Sequence, residues 1–191
     1  MKRKKKPVGA SAKPPKRASS NSVKEALHYA AGRSSIGSVL VASSDKGVVA
    51  ILIGDDAEQL VHDLQRIFPD AYLFNGDREA KLRVQRVLDY IESPARGLDL
   101  PLDIRGTEFQ NQVWRAVQSV PLGQTSSYKE IAAKIGAPKA ARAVGNACAV
   151  NHLSLVIPCH RVLASDGSIS EGYGRERKRI LLEREAECRS K

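Results

Sequence analysis

The sequence predicts an α/β domain over residues 25–100 and a mainly α domain over residues 103–191, with a basic tail, residues 1–24, in front of both. Two observations support this division. The first half alternates β-branched apolar runs with segments of helical periodicity, whereas from residue 107 onwards the pattern becomes helical. A chain of 191 residues has room for two small domains and can bury a hydrophobic core.

The basic tail accounts for most of the net charge. Residues 1–17 contain eight Lys or Arg residues and no acid, whereas the remainder carries 23 basic and 21 acidic residues, and the whole chain has a formal net charge of +10. A basic segment rich in Pro, Ser and Ala cannot fold alone, so we expect it to be disordered. Such a tail either attracts nucleic-acid phosphates regardless of sequence or only keeps the protein soluble, and both interpretations stay open.

The composition indicates an intracellular protein, which we expect to be cytoplasmic. No apolar stretch is long enough to span a bilayer, and the basic N-terminus lacks the apolar region of a secretory signal. The three cysteines are odd in number and make no paired framework, which is typical of a reducing compartment. Away from Cys159, Cys148 is interpreted as a small packed residue and Cys188 as an exposed tail residue.

A hairpin and one further strand are predicted in the first domain. β-branched runs at residues 38–42 and 48–53 flank a turn that contains Asp and Gly, which is the pattern of a β-hairpin. A short apolar run at residues 71–74 predicts a third strand. Residues 97–104 look extended and connect the two domains. The first domain carries no catalytic constellation, so its predicted role is structural.

Two amphipathic helices complete the first domain. Asp55 and Glu58 have the spacing of a capping box, and Pro69 ends the helix that follows them. A second helix covers residues 78–92 and stops before Pro94. The apolar residues of the first helix, at helical spacing, are Ala57, Leu60, Val61, Leu64, Ile67 and Phe68.

Capping-box pairs mark the first two helices of the second domain. Thr107 and Gln110 precede the first helix, and the Pro-Leu-Gly sequence at residues 121–123 breaks it. Ser127 and Glu130 then cap a short helix. The apolar residues that fall on one face of the first helix are Phe109, Val113, Val117 and Val120.

The short helix and the one after it are predicted to form a helix-turn-helix. The short helix ends at Gly136, where a left-handed residue is expected, and Pro138 is placed to begin a helix that runs to about Ala149. The second helix carries Lys139 and Arg142 and is rich in small residues, which would let it approach a nucleic-acid backbone closely. A helical hairpin that never meets DNA has the same pattern, so the alternative stays open here.

The sequence Ile-Pro-Cys-His-Arg-Val around Cys159 predicts a reactive centre. The apolar run at residues 153–157 is expected to deliver it from a buried strand, and Pro158 stiffens the approach to the thiol. A cysteine beside His160 and Arg161 has the ingredients for a lowered pKa, and the thiolate is the nucleophilic form.

Residue chemistry alone leaves other interpretations of this centre open. Most free cysteines are merely buried, so Cys159 is also compatible with an inert thiol. Neighbours on an extended segment point opposite ways, so Cys159 and His160 need not touch directly, and a water could bridge them. A cysteine hydrolase would use Asn151 to orient the histidine. Cys148 and His152 lie four residues apart, but no pair of ligand doublets has zinc-finger spacing, so we expect no metal site.

The motifs of the second domain together resemble the O6-alkylguanine-DNA alkyltransferases, also called methylated-DNA–protein-cysteine methyltransferases. Their order and spacing agree over residues 103–186, and residues 25–102 look more loosely like the N-terminal domain of the Ada-type branch, without its metal-binding and regulator domains. The resemblance implies a ribonuclease H-like first domain and a winged-helix-like second domain. The matching motifs are Phe-Gln-x-x-Val-Trp at 109–114, Ser-Tyr at 127–128, Arg-Ala-Val-Gly at 142–145, Asn151, Ile-Pro-Cys-His-Arg-Val at 157–162 and Leu-Leu-Glu-Arg-Glu at 181–185.

The resemblance implies a set of catalytic roles. Cys159 would accept the alkyl group, and His160 would remove the thiol proton through a water, with Glu185 completing the relay. Tyr128 would donate a hydrogen bond or a proton to the departing guanine. Asn151 would brace the turn between the recognition helix and the active site.

The resemblance also implies the residues that contact DNA. Arg142 would enter the base stack as the damaged nucleotide swings out, and phosphate contacts would hold the duplex without reading its sequence. The recognition helix is implied to work from the minor groove, where small side chains favour close approach. The further DNA-binding residues are Lys139, Tyr128, Ala143 and Gly145.

The alkyl pocket is implied to be lined by Pro158, Val162, Ser170 and Tyr173. One departure from Ada-type relatives falls here, because residues 171–175 read Glu-Gly-Tyr-Gly-Arg where those relatives usually have Gly-Tyr-Arg-Trp-Gly. The loss of a large aromatic residue would widen the pocket, so the range of alkyl groups stays open.

The predicted function is repair of double-stranded DNA by irreversible transfer of an alkyl group from O6 of guanine to Cys159, with O4 of thymine as a further candidate lesion. The base must be flipped out of the duplex before the thiolate attacks. Since no residue suggests a way to hydrolyse the thioether product, each molecule would act once, as a monomer and without a cofactor. The alternative is a non-catalytic protein that recognises alkylated DNA or regulates transcription.

Overall fold

The structure, a computed structural model, describes residues 24–169 and 174–189. Four strands form its main sheet: β1 (Ala26–Ser34), β2 (Gly37–Ser44), β3 (Gly47–Gly54) and β4 (Tyr72–Asn75). They lie in the order β3-β2-β1-β4. The first three strands form an antiparallel meander, and β4 pairs with β1 in parallel, so the sheet is mixed.

The hairpin and the strand after it are confirmed, but β1 was not predicted. Its middle reads Ala-Ala-Gly, and these small residues have low β propensity. The packing explains them, because a Cβ atom on Gly32 would lie 2.9 Å from side-chain atoms of both Val84 and Leu88 in the second helix. The strand therefore has small residues in place of β-branched ones where the second helix packs against it.

Helices α1 (Ala57–Ile67) and α2 (Arg78–Glu92) cover opposite faces of the sheet, and α2 has the predicted bounds. Leu64 packs with Leu40 on one face, whereas Ile91 packs in the cluster that contains Val41 on the other. Neighbouring residues of a strand point to opposite faces, so β2 is buried on both sides.

The predicted capping box of α1 is wrong by one residue. The N-cap is Asp56, not Asp55, and its carboxylate accepts a hydrogen bond from the backbone N–H of Gln59 at 2.8 Å. Glu58 therefore occupies the second helical position and cannot complete a capping box. Asp55 instead forms an ion pair with Arg177 near the C-terminus.

The extended connection between the two halves is confirmed, and it also docks on the sheet. The backbone N–H of Val48 donates to the carbonyl oxygen of Pro101 at 2.7 Å, and the N–H of Asp103 donates to Val48 at 2.9 Å. Leu102 thereby forms a parallel bridge with Val48. The connection covers part of the outer edge of β3, which would otherwise leave backbone groups unpaired.

The second half is mainly helical, and both of its capping boxes are confirmed, at Thr107 with Gln110 and at Ser127 with Glu130. A two-stranded parallel sheet holds the start of the second helix beside the reactive segment. The elements are α3 (Glu108–Gln118), β5 (Ser126–Ser127), α4 (Tyr128–Lys134), α5 (Ala141–Ala149), β6 (Val162–Leu163) and α6 (Arg175–Arg189).

Two predictions in this half are wrong. Helix α5 begins at Ala141, because Pro138 lies in a turn in which the N–H of Ala140 donates to the carbonyl of Ala137. Residues 153–157 form no strand: only Leu153 bridges to β3, and the chain then turns at Leu155, whose φ is 73°. The reactive segment is therefore delivered by a tight turn.

One hydrophobic cluster joins the two halves. It contains Val87 and Ile91 of α2 as well as Val113 of α3, Ile157 beside the reactive segment, and Leu181 of α6.

In residues 24–169 and 174–189, no helix is both long and apolar enough to cross a membrane. The predicted disordered tail lies outside the residues that the structure describes.

Candidate active site

Cys159 lies in a single turn of 3₁₀ helix and is 4% exposed. Asn151 braces this turn through three hydrogen bonds. Its amide nitrogen donates to the sulfur of Cys159 at 3.3 Å and to the carbonyl of Ile157 at 3.0 Å, and its amide oxygen accepts from the N–H of Leu153 at 2.9 Å. The residue predicted to brace the turn is thus in direct contact with the thiol.

His160 and Glu185 form a fully buried pair, in which Nε2 of the imidazole lies 2.7 Å from Oε1 of the carboxylate. Burial by itself raises the pKa of Glu185, but hydrogen bonds from His160 and Arg161 outweigh it and hold the pKa at about 2. An ionised carboxylate only accepts hydrogen bonds, so Nε2 must carry the proton. Burial also lowers the pKa of His160, which keeps the imidazole neutral and leaves Nδ1 as a proton acceptor.

The second ring nitrogen of His160, Nδ1, is the one left to accept a proton. Nδ1 of His160 is buried and has no hydrogen-bond partner among the residues that the structure describes. Buried polar atoms are nearly always paired, and exceptions tend to mark functional groups. Since Cys159 is the preceding residue in the chain, this nitrogen is the candidate base for its thiol.

Arg161 points away from the thiol, contrary to the prediction that it lowers the pKa of Cys159. Its Nε donates to Oε2 of Glu185 at 2.7 Å, and Nη2 donates to Oε1 at 3.0 Å. Nη1 donates to the carbonyl of Val120 at 2.7 Å, and Nη2 also contacts the hydroxyl of Tyr90 at 3.2 Å. The guanidinium therefore stabilises the negative charge of the Glu185 carboxylate.

The pKa of Cys159 is raised well above its ordinary value instead of lowered. The causes are a hydrogen bond with Cys148 and burial, which the hydrogen bond from Asn151 and the charge of Lys178 oppose. A thiol held in its protonated form is a poor nucleophile, so transfer chemistry here requires a base that removes the proton.

Lys178 is a site residue that sequence reasoning missed. It belongs to α6 and is 5% exposed, and its charge acts on both Cys159 and Cys148. Burial lowers its own pKa. The sequence around it, Arg-Glu-Arg-Lys-Arg, is typical of an exposed charged helix, so no local signal marked this lysine as buried.

For the other two cysteines, the predicted burial is confirmed in one case and wrong in the other. Cys148 is half-buried on α5 and packs against the core cluster that contains Cys159, as predicted for a packed residue. Cys188 is half-buried as well, so the prediction that it is exposed is wrong, because α6 extends to residue 189 and carries it along the protein. Within residues 24–169 and 174–189, no cluster of three or more His, Cys, Asp or Glu side chains is placed to hold a metal ion.

The predicted DNA-contacting residues lie on the helix pair α4 and α5 and in the turn between them. Arg142 and Ala143 are exposed on α5, and Lys139 is exposed in the turn before it. Tyr128 begins α4, and a Cβ atom on Gly145 would lie 3.9 Å from its ring. Glu130 is an exposed acid in the first turn of α4, whereas residues 131–165 contain no Asp or Glu, so α5 and the turn before it carry no acidic side chain to repel phosphate.

The predicted pocket residues are placed only in part. Pro158 and Val162 are buried on either side of the turn that holds Cys159. Ser170 and Tyr173 lie outside the described residues, as does most of the segment at 171–175 that departs from Ada-type relatives.

A buried thiol followed by a neutral histidine, in the same half of the chain as an exposed basic helix that carries no acidic residue, is the arrangement expected of a protein that brings a cysteine to a nucleic acid. Comparisons with known proteins identify the family. The family model described as "6-O-methylguanine DNA methyltransferase, DNA binding domain" matches residues 108–187. A methylated-DNA–protein-cysteine methyltransferase of Methanosarcina acetivorans is 34% identical over 166 residues, which cover 85% of this chain and 100% of that protein. The chain therefore belongs to the methylated-DNA–protein-cysteine methyltransferase family, and the resemblance found in the motifs is confirmed.

Two further relatives extend the comparison. The chain is 48% identical over 164 residues to the bifunctional transcriptional activator/DNA repair enzyme Ada of Escherichia coli, covering 85% of this chain and 46% of Ada, so it spans less than half of that relative's length. Among solved structures, the O6-methylguanine methyltransferase of Mycobacterium tuberculosis has a TM-score of 0.68 at 33% identity, covering 84% of this chain and 93% of that one. The α/β fold, with a small mixed sheet and helices, is thus the fold of this family.

Proposed function

We propose that this protein repairs DNA by transferring an alkyl group from O6 of guanine to the sulfur of Cys159. The observation that carries the proposal is the buried His160, which follows Cys159 in the chain: its Nε2 lies 2.7 Å from Oε1 of Glu185, and its Nδ1, unpaired among the described residues, can accept a proton. A thiol with a raised pKa needs such a base, and a sulfur nucleophile is what an alkyl carbon on oxygen requires.

The proposed step balances as a single displacement. The thiol proton passes to Nδ1 of His160 through a water, and the sulfur attacks the alkyl carbon. The S–C bond forms as the C–O6 bond breaks, and Tyr128 donates a hydrogen bond or a proton to the departing guanine. The thioether that results is inert, so the protein acts once per molecule and needs no cofactor.

The DNA contacts are proposed from charge and exposure. Lys139 and Arg142 are exposed on the helix pair, and the small residues Ala143 and Gly145 leave room for close approach to a duplex. Arg142 would fill the space of the nucleotide that is flipped out, because a base inside the duplex cannot reach a buried thiol. A structure of the related Mycobacterium tuberculosis OGT in complex with DNA, at a TM-score of 0.68 and 34% identity, supports the same partner for this chain.

Finer features of the fold belong to the same proposal. We infer a ribonuclease H-like first domain over residues 25–100 and a winged-helix-like second domain over residues 103–191. The mixed sheet with helices on both faces supports the former, and the helix pair with the small sheet of β5 and β6 supports the latter. A monomer that works in the cytoplasm is consistent with this role.

The test is intact-protein and peptide mass spectrometry after incubation with duplex DNA that contains O6-methylguanine. We expect one methyl group on the Cys159 peptide and no second one after prolonged incubation. Cys159→Ala should gain no methyl group, whereas Cys188→Ser, the matched control in α6, should gain one. Tight binding to the damaged duplex without any mass gain would reject transfer in favour of damage recognition, and repeated turnover on an ester or amide would indicate a hydrolase.

A further inference from the structure

A hydrogen-bonded chain links α2 of the first half to the proposed relay in the second. The hydroxyl of Tyr90 accepts a hydrogen bond from Nη2 of Arg161 at 3.2 Å and lies 3.5 Å from Oε1 of Glu185. The same carboxylate oxygen is 2.7 Å from Nε2 of His160. Tyr90 is 5% exposed, and it lies outside residues 108–187, which the family model matches.

The phenol is fixed as a donor by its surroundings. Burial, followed by the charge of Glu185, raises the pKa of Tyr90 to about 12, so the hydroxyl keeps its proton. Its oxygen can then accept from Arg161 while its proton points to Glu185. The Tyr90 hydroxyl thus orients both the guanidinium and the carboxylate oxygen that bonds to His160.

We propose that Tyr90 is a positioning residue for alkyl transfer, which holds Glu185 and Arg161 so that Glu185 presents His160 to Cys159. The inference rests on the proposed function of Cys159 and adds a contribution from a half of the chain that sequence reasoning interpreted as structural. Tyr90 touches neither the thiol nor the proposed position of the base. Its effect passes through Glu185.

Loss of the Tyr90 hydroxyl should shift the pKa of His160 in a predictable direction. The charged and titratable groups that act on His160 are Glu185, Arg161 and Lys178, and Tyr90 is a further polar partner of the Glu185 carboxylate. Without the phenol, Glu185 has one donor fewer and stabilises a protonated imidazole more strongly. The pKa of His160 then rises, so the neutral base is lost at a higher pH and the acid limb of the rate profile moves upward in pH.

The test compares Tyr90→Phe with Tyr29→Phe, a matched loss of a hydroxyl from a half-buried tyrosine in β1. The single-turnover methyl-transfer rate at saturating duplex is measured against pH, together with DNA affinity and Tm. We expect Tyr90→Phe to be roughly 2- to 10-fold slower, the range for one hydrogen bond, with unchanged DNA affinity and an acid limb at higher pH. Tyr29→Phe should match the wild type.

A double-variant cycle separates positioning from packing. If Tyr90 acts through Glu185, then Tyr90→Phe should add little further slowing in a Glu185→Gln background, because the group that it orients is already altered. A full and independent loss of rate in that background would overturn the inference. So would a wild-type rate and pH profile for Tyr90→Phe in a chain that still accepts one methyl group, an outcome that leaves the proposed function standing.

A second readout does not use alkylated DNA. Iodoacetamide labelling of Cys159, followed on its peptide by mass spectrometry against pH, reports removal of the thiol proton in the free protein. Slower labelling of Cys159 in Tyr90→Phe, with an unchanged rate at Cys188, supports the positioning role even if the wild type takes no methyl group from DNA. Equal labelling of Cys159 in both proteins across the pH range would reject it.

Discussion

At the scale of single residues, the acid–base properties of the site follow from the hydrogen bonds that each titratable side chain makes. Glu185 receives hydrogen bonds from both His160 and Arg161, so its charge is stabilised although it is fully buried. A buried carboxylate without such partners would take up a proton instead. The ionised form in turn fixes which nitrogen of His160 is left to accept a proton.

This arrangement predicts how stability depends on pH. The pKa of Glu185 is about 2 in the folded chain against an ordinary value of 4.5, so its contribution is complete above about pH 4.5 and is lost as the pH falls towards 2. Glu185→Gln should lower the free energy of unfolding by about 1.5–3 kcal/mol at pH 7, the range for hydrogen bonds to charged groups. Urea unfolding at several pH values should show the difference from the wild type shrinking between pH 4.5 and 2.

Glu183 supplies the matched control for this prediction. It lies on the same helix, but its side chain is 54% exposed and pairs with Arg179 at the surface. Glu183→Gln should change the free energy of unfolding by no more than about 0.5 kcal/mol at any of these pH values. A constant difference between Glu185→Gln and the wild type down to pH 2 would contradict the assignment of the buried charge.

The sequence was sufficient to predict some of these site residues and not others. Cys159 could be singled out by local chemistry and Glu185 only by the family motif, because 25 residues separate it from His160 along the chain. Arg161 was visible but its direction was not, since a neighbour in sequence says nothing about where a long side chain turns. Lys178 and Tyr90 carried no signal, because their burial depends on packing between distant segments.

At the scale of elements, helix periodicity and caps could be predicted, whereas closely packed small residues could not. Both capping boxes of the second half are local patterns and are present as predicted. β1 and the turn at Leu155 depend instead on long-range contacts with α2 and β3. Sequence periodicity contains no information about which glycine faces a helix, so these elements were missed or misassigned.

Two glycines of the second half should respond in opposite ways to replacement by alanine. A Cβ atom on Gly106 would lie 2.7 Å from Cη2 of the buried Trp114, so Gly106→Ala should lower the free energy of unfolding by about 1–3 kcal/mol. On Gly145 the nearest atoms are 3.9 Å away, in the ring of Tyr128, so Gly145→Ala should raise it by about 0.5–1 kcal/mol through helix propensity. Chemical denaturation of both variants measures the two signs, and a destabilised Gly145→Ala would show that α5 is packed more tightly than these distances indicate.

At the scale of the whole molecule, polar contacts and a shared core bind the two halves. Arg184 of α6 donates to the carbonyl of Ile91 at 2.7 Å and to the hydroxyl of Ser35 at 2.8 Å, and Arg177 donates to the carbonyl of Ile36 at 2.9 Å. These contacts close around the hydrophobic cluster that both halves fill. The proposed relay from Tyr90 to Cys159 would depend on these contacts, because a small shift between the halves would separate hydrogen-bonded groups.

The shared core predicts that the two halves unfold together. Trp114 is the single tryptophan and is buried in the second half, where its Nε1 donates to the carbonyl of Ala147 at 2.9 Å, so its fluorescence reports that half alone. Far-UV circular dichroism reports both halves, and the two urea transitions should coincide. Ile91→Ala removes a fully buried side chain of α2 and should lower both midpoints together, by an amount equivalent to about 2–5 kcal/mol. A tryptophan transition that keeps its wild-type midpoint in this variant would mean that the second half is stable without the first, and the coupling of α2 to the relay would then be confined to the hydroxyl of Tyr90.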